Sequence, residues 1–179
     1  MLGLNHQMHD ILLGTLEPGD EAVVRPWLRE FLAWQLGTWR MSVAGDASAT
    51  AIEHHIAEHG LIDRDWIELS RAAQNAANLV AVARSPSGPI GIVHVETRQD
   101  RYLMERTGVI GWVFVDQSWR RRGIGLRLLN EARGFLQVQG ILAAEVFVTG
   151  NNAAAVHLYK KCGFHIVDHR MLAAIMPVS

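Results

Sequence analysis

Three arginines and two spaced glycines, Arg120-Arg121-Arg122-Gly123-Ile124-Gly125, follow an apolar run, Val109–Val115, and precede a leucine-rich one. The order reads as strand, glycine turn, helix. Glycines let a backbone approach a ligand with no Cβ in the way. The unpaired amides of a first helical turn, together with the helix dipole, favour negative charge. Phosphate oxygens fit such a place, and the arginines raise the local potential. The dinucleotide fingerprint needs a further glycine where Leu128 stands, and the phosphate-binding P-loop needs a Gly-Lys-Ser/Thr ending that is absent. By itself the segment is also compatible with an ordinary strand-to-helix turn with a basic rim.

A second segment carries acid–base groups. Glu145-Val146-Phe147-Val148-Thr149-Gly150-Asn151-Asn152 leads into Ala155, Leu158, Tyr159 and Gly163-Phe164. A phenol and a carboxylate there have the chemistry of a proton donor and a proton acceptor. Asp116, Glu96 and His94 are further proton acceptors on neighbouring elements. A third pattern, His55-x-x-Glu58-His59, has the spacing of inverted zinc peptidases, with both histidines on one helical face. Gly60 follows at once, however, and no third ligand is placed.

The elements that must carry these residues follow from periodicity. A first strand is expected around Asp10–Leu16, then a turn at Glu17-Pro18-Gly19-Asp20 with Asp20 as helix N-cap. Helical spacing runs from Glu21 to Leu36, with Gly37 as its stop. Ser42–Ala49 reads as a loop, Thr50–His59 as a short helix, and Asp63 or Asp65 as the cap of another reaching about Asn75. Leu79–Arg84 and Ile90–Thr97 read as a hairpin and Val109–Val115 as a strand buried on both faces. Gly123–Gln139 reads as a helix, Glu145–Thr149 as a strand and Ala153–Lys161 as a helix. Phe164–Val167 and Met171–Met176 are expected to close the chain as two strands. Strands alternating with helices after a meander describe a mixed α/β sheet.

Composition narrows the classes. With 179 residues, 49 % apolar and 20 % charged, the chain suits one folded domain. The net charge of −1 hides a split: residues 1–100 hold 7 Arg against 13 acids, and residues 101–179 hold 10 Lys plus Arg against 5 acids. The basic half contains the glycine turn. One cysteine, Cys162, forms no internal disulfide, which points to a reducing compartment. Neither a signal peptide nor an apolar run of membrane-spanning length is visible, so a cytoplasmic protein is expected. A neutral balance and a short arginine cluster argue against nucleic acid.

The two segments together resemble the GNAT superfamily of acyl-CoA-dependent N-acetyltransferases. Arg120-x-x-Gly123-x-Gly125 matches the first family pattern, and Asn152-x-x-Ala155-x-x-Leu158-Tyr159-x-x-x-Gly163-Phe164 the second. The resemblance covers about Val109–Phe164. It implies a GNAT-like α/β fold: a mainly antiparallel twisted sheet flanked by helices, with a splayed strand pair at the cofactor site. On that basis residues 1–179 form a single domain, with a helical acceptor side over about 17–76 and an acyl-CoA-binding core over about 79–176.

The implied site uses the turn around Arg120, Arg121, Arg122, Gly123, Ile124, Gly125 and Leu126 for the CoA pyrophosphate. The strand Val113, Phe114, Val115 lies along the pantetheine arm, joined by Asn152 and Ala155, with Tyr159 near the sulfur. Gly111 is the expected bulge between the splayed strands. Tyr159 is the expected acid. Glu145 is the first candidate base, sharing a strand face with Phe147, where some family members carry a glutamate. The expected reaction is direct transfer of acetyl from acetyl-CoA to a primary amine, without metal or covalent enzyme intermediate. Cys162 is read as a packed residue at a helix end. The amine is not named by these residues, and a homodimer is allowed. A non-catalytic acyl-CoA sensor is the alternative, and zinc hydrolysis through His55, Glu58 and His59 the remote one. Trp27, Trp34, Trp39 and Trp66 fall on the acceptor side, as core or as pocket wall.

Overall fold

The computed structural model describes residues 10–44, 47–102 and 104–173. At its centre lies a five-stranded sheet ordered β1-β2-β3-β4-β5: β1 Leu12–Thr15, β2 Leu79–Ser85, β3 Gly88–Gln99, β4 Arg106–Val115 and β5 Ala144–Val146. The first four strands are antiparallel and β5 joins parallel to β4. Helices α1 Glu21–Ala44, α2 Ala49–Glu58 and α3 Leu61–Ala72 lie between β1 and β2 in the chain. Helix α4 Ile124–Val138 precedes β5, and α5 Ala153–Lys161 follows it.

Strand alternation divides the core. Val93, Val95 and Ile110 pack with Leu128, Leu129, Ala132 and Leu136 of α4 and with Tyr159 of α5. Ile92, Trp112 and Phe114 pack on the opposite face with Val24, Trp27 and Leu28 of α1 and Leu69 of α3. Both faces of β4 are therefore covered, which explains its nearly unbroken apolar run. Leu128, with no exposed surface, alone contributes about 2 kcal/mol by burial.

Two features of β4 shape the candidate site. His94 pairs with Trp112 and Val95 with Ile110, so Gly111 is an extra, unpaired residue: the expected bulge is present. Strand β5 meets β4 only over Gly108–Ile110. Beyond the bulge the two strands part, and no described strand covers that edge of residues 111–115.

Several expectations need correction. Helix α1 does not stop at Gly37 but continues to Ala44. An interior glycine costs about 1 kcal/mol relative to alanine. Tertiary contacts offset this: Leu36 packs with Ile52 and Ile56 of α2, and Trp34 bonds a distant loop. Ser42–Ala44 therefore belongs to a helix; positions 45–46 lie outside the described residues. The N-cap of α3 is Gly60 in the left-handed conformation (φ 55°), and Asp63 pairs instead with Arg25 of α1. Strand β5 ends at Val146 rather than Thr149, because β4 has turned away and offers no further pairing. Phe164–Val167 forms no strand, nor does 171–173; positions 174–176 lie outside the described residues.

Asp20 is not the cap of α1 either. It closes a short 3-10 turn, Pro18–Asp20, accepting the Glu17 amide at 2.8 Å. Its buried carboxylate takes a forked pair of bonds from Arg84 of β2, at 2.5 and 2.7 Å. Burial alone would raise its pKa. The Arg84 and Glu17 hydrogen bonds outweigh that and hold it below the usual 3.8. A depressed carboxylate adds stability that is present above pH 3.8 and lost as the pH falls through the lower folded value. Asp20→Asn leaves the partly buried Arg84 guanidinium without its charged partner and is expected to cost about 2 kcal/mol in urea unfolding at pH 7. The deficit should shrink as the wild-type carboxylate protonates; a loss under 0.5 kcal/mol contradicts this role.

Candidate active site

The turn between β4 and α4 is built in four steps. Asp116 ends the strand and caps a 3-10 turn, Gln117–Trp119, by accepting the Ser118 amide at 2.9 Å. The Ser118 bonds keep the Asp116 carboxyl below its ordinary pKa. Arg120 then folds back: Nε donates to Val115 O at 2.9 Å and Nη2 to Glu30 Oε1 of α1 at 2.7 Å. Its guanidinium lies 5.3 Å from the Phe114 ring centroid. Arg121 (φ 61°) and Gly123 (φ 80°) are both left-handed, which coils the backbone tightly before α4 begins.

Gly123 caps α4 without any side-chain hydrogen bond, and the first bond of the helix is Arg127 N to Gly123 O at 3.1 Å. The amides of Ile124, Gly125 and Leu126 are thus left without intrahelical partners at the positive end of a 15-residue helix. Arg121 and Arg122 are exposed beside them, with Arg122 over the Trp119 ring at 4.9 Å. The turn has the fixed dipoles and charge that hold phosphate oxygens.

The open edge of β4 adjoins this turn. Asp116 N donates to Ile90 O, so by alternation the backbone groups of Val113 and Val115 point to the edge away from β3. Arg120 occupies Val115 O, leaving Val113 N and O and Val115 N to meet an extended, amide-bearing chain. The Phe114 side chain points the other way, into the aromatic cluster with Trp27 and Trp112.

Helix α5 forms the opposite wall. Asn152 Oδ1 caps it by accepting the Ala155 amide at 3.1 Å. The two sequence segments touch directly: a Cβ on Gly125 would sit 2.9 Å from Leu158 Cδ2. Gly125 therefore also permits α4 and α5 to approach. Tyr159 is buried and packs edge-on to Phe164 with ring centroids 5.7 Å apart. Burial, aided by Cys162, raises its hydroxyl to about 12. The phenol is a proton donor that stays protonated throughout the physiological range. Cys162 is buried, its thiol pushed up by burial.

The sequence-derived residues do not all meet as expected. Arg120 is engaged in holding the turn together, and Ile124 is buried, so it can contribute only its amide. Asn152 Oδ1 is occupied by the cap. Glu145 forms an ion pair with Arg98 of β3, across the Val109 position of β4. On α2 the His55 and His59 rings meet edge-on at 4.4 Å, and among the described residues no three His, Cys, Asp or Glu side chains converge.

Sequence reasoning missed the tie between α1 and the β5–α5 loop. Trp34 Nε1 donates to Thr149 Oγ1 at 3.1 Å, and Asn151 Nδ2 to Thr38 Oγ1 at 3.2 Å. His94, one of the proton acceptors named from the sequence, lies opposite Trp112 on the α1/α3 face, a pairing the sequence does not announce. Neither has a local sequence signal.

The mainly antiparallel sheet with its parted strand pair, together with the bare basic start of α4, defines one class of fold. The Acetyltransferase (GNAT) domain model matches residues 76–166, and the chain belongs to this family. An uncharacterized N-acetyltransferase of Methanocaldococcus jannaschii is 32 % identical over 77 residues, 42 % of this chain and 34 % of that protein. The match thus spans about a third of the relative's length. The PaiA N-acetyltransferase of Thermoplasma acidophilum, solved with coenzyme A, superposes with a TM-score of 0.67 at 23 % identity, covering 89 % of this chain and 92 % of that one. A GCN5-related N-acetyltransferase of Ralstonia eutropha gives 0.65 at 20 % identity, over 90 % and 97 %. AAC(6')-Iy, solved with the bisubstrate analogue CoA-S-monomethyl-acetylneamine, gives 0.62 at 14 %, over 90 % and 95 %.

Proposed function

We propose that this chain transfers acetyl from acetyl-CoA directly to a primary amine. The observation that carries the reading is the uncapped start of α4, entered through left-handed Arg121 and Gly123 beside the open edge of β4. Membership of the GNAT family supports it, as do structural neighbours captured with coenzyme A and with a bisubstrate analogue. In this reading the amides of 124–126 and the exposed Arg121 and Arg122 take the pyrophosphate. Val113 and Val115 pair with the pantetheine amides, and Ala155 and Asn152 line the far wall. A strand amide near Val115 stabilises the carbonyl oxygen as charge develops.

A free amine attacks the thioester carbon with its lone pair, and the C–S bond breaks with its electrons going to sulfur. The nitrogen loses a proton to water, the thiolate gains one from Tyr159, and water returns a proton to the Tyr159 phenolate. A thiol pKa near 8.5 makes that protonation helpful at neutral pH without being obligatory. Glu145, the acceptor suggested by the sequence, is engaged in an ion pair with Arg98 of β3. The acidic balance of residues 1–100 favours a cationic acceptor approaching from the helical side.

The test is thiol release from acetyl-CoA with spermidine, a lysine-containing peptide, an aminoglycoside and tryptamine. Amine-dependent release without a stable acetyl-protein adduct is expected. Binding of acetyl-CoA with no release on any amine would favour a sensor instead.

A further inference from the structure

We propose that His94, backed by Glu96, is the group that takes the proton from the attacking amine. This rests on the transferase reading and assigns a residue of the same site. His94 stands on β3 directly opposite Trp112, at the register shift created by the Gly111 bulge. Because Gly111 has no side chain, the imidazole edge lies open there: a Cβ on Gly111 would sit 3.3 Å from His94 Nδ1. Gly111 is exposed, so Nδ1 lies beside an exposed point of β4 at the bulge, where β4 and β5 part.

The other ring nitrogen is placed differently. Among the described residues His94 Nε2 is buried without a hydrogen-bond partner, and Glu96 Oε1 lies 3.5 Å away. A carboxylate on that side favours the tautomer with its proton on Nε2, leaving the Nδ1 lone pair toward the bulge. Trp112 Nε1, likewise buried and unpartnered among the described residues, adds a second polar atom to the same face. The charged groups bearing on the imidazole are Glu96 on its own strand and Glu68 on α3; Gly111 and Trp112 on β4 carry none. Burial lowers its proton affinity below the usual 6.5 against the pull of these two carboxylates, so the ring is neutral at pH 7 and able to accept. In the balanced step, the ammonium form of the acceptor gives one proton to Nδ1, and the ring releases it to water. The freed amine then attacks.

The experiment measures kcat against pH with the fastest amine of the panel, after acetyl-CoA affinity has been checked by calorimetry. Wild type should lose activity along an acid limb that lies below the ordinary imidazole value of 6.5. In His94→Gln, kcat should drop at least tenfold with the acetyl-CoA Kd unchanged, and that acid limb should vanish. Glu96 is exposed, so Glu96→Gln should fold. With its carboxylate gone the acid limb should move to lower pH. An acid limb unmoved in both variants, or kcat unchanged in His94→Gln, overturns the assignment while leaving the transferase reading intact. Wild type that neither binds acetyl-CoA nor releases thiol overturns both.

Discussion

Gly123→Val is expected to raise the Kd for acetyl-CoA about 30-fold. Gly123 has φ 80° at the N-cap of α4, a conformation that a β-branched residue strongly disfavours. The variant should relax out of it, rotating the amides of 124–126 away from a common focus. Binding must then restore the strained turn at about 2 kcal/mol, and 1.4 kcal/mol corresponds to tenfold in Kd. Gly140→Val supplies the control. Gly140 is equally left-handed (φ 69°), follows the other end of α4, and has open space around it. It should lower thermal stability while leaving acetyl-CoA affinity within twofold. Equal loss of affinity in the two variants would mean that general destabilisation, not the shape of the turn, governs binding.

Tyr159→Phe is expected to lower kcat about 100-fold, at the low end of what a positioned acid contributes. The ring keeps its packing against Phe164, so stability and acetyl-CoA affinity should change little. With the hydroxyl raised to about 12, the wild-type rate should show no loss from Tyr159 deprotonation between pH 7 and 10. If the hydroxyl protonates the departing thiolate, the defect should shrink with acyl donors whose thiol pKa is lower. A kcat within threefold of wild type, independent of the leaving group, would make Tyr159 a packing residue.

Legibility in the sequence depended on whether the signal was local. Val109–Val115, the glycine turn and α4 are readable because a nearly unbroken apolar run, arginines, glycines and leucines are adjacent in the chain. The Gly111 bulge was placed through family resemblance, and the strand register bears it out. By contrast, α1 passes Gly37 because of contacts with α2 and with Thr149, more than 100 residues away. Asp20 has the sequence of a helix cap, but Arg84 of β2 claims its carboxylate. Arg120 and Asn152 sit in the matched motifs, yet their polar atoms are partly occupied in shaping the turn and capping α5. The His94–Gly111 juxtaposition exists only once β3 and β4 are in register.

In the proposed reading the open edge of β4 and the bare start of α4 form an acetyl-CoA site. Isothermal titration of acetyl-CoA into the wild-type chain and into Gly123→Val tests it most directly. One site per chain with micromolar affinity, weakened about 30-fold in the variant, is the predicted result. Failure of wild type to bind at millimolar acetyl-CoA, or identical affinities in the two proteins, would contradict it.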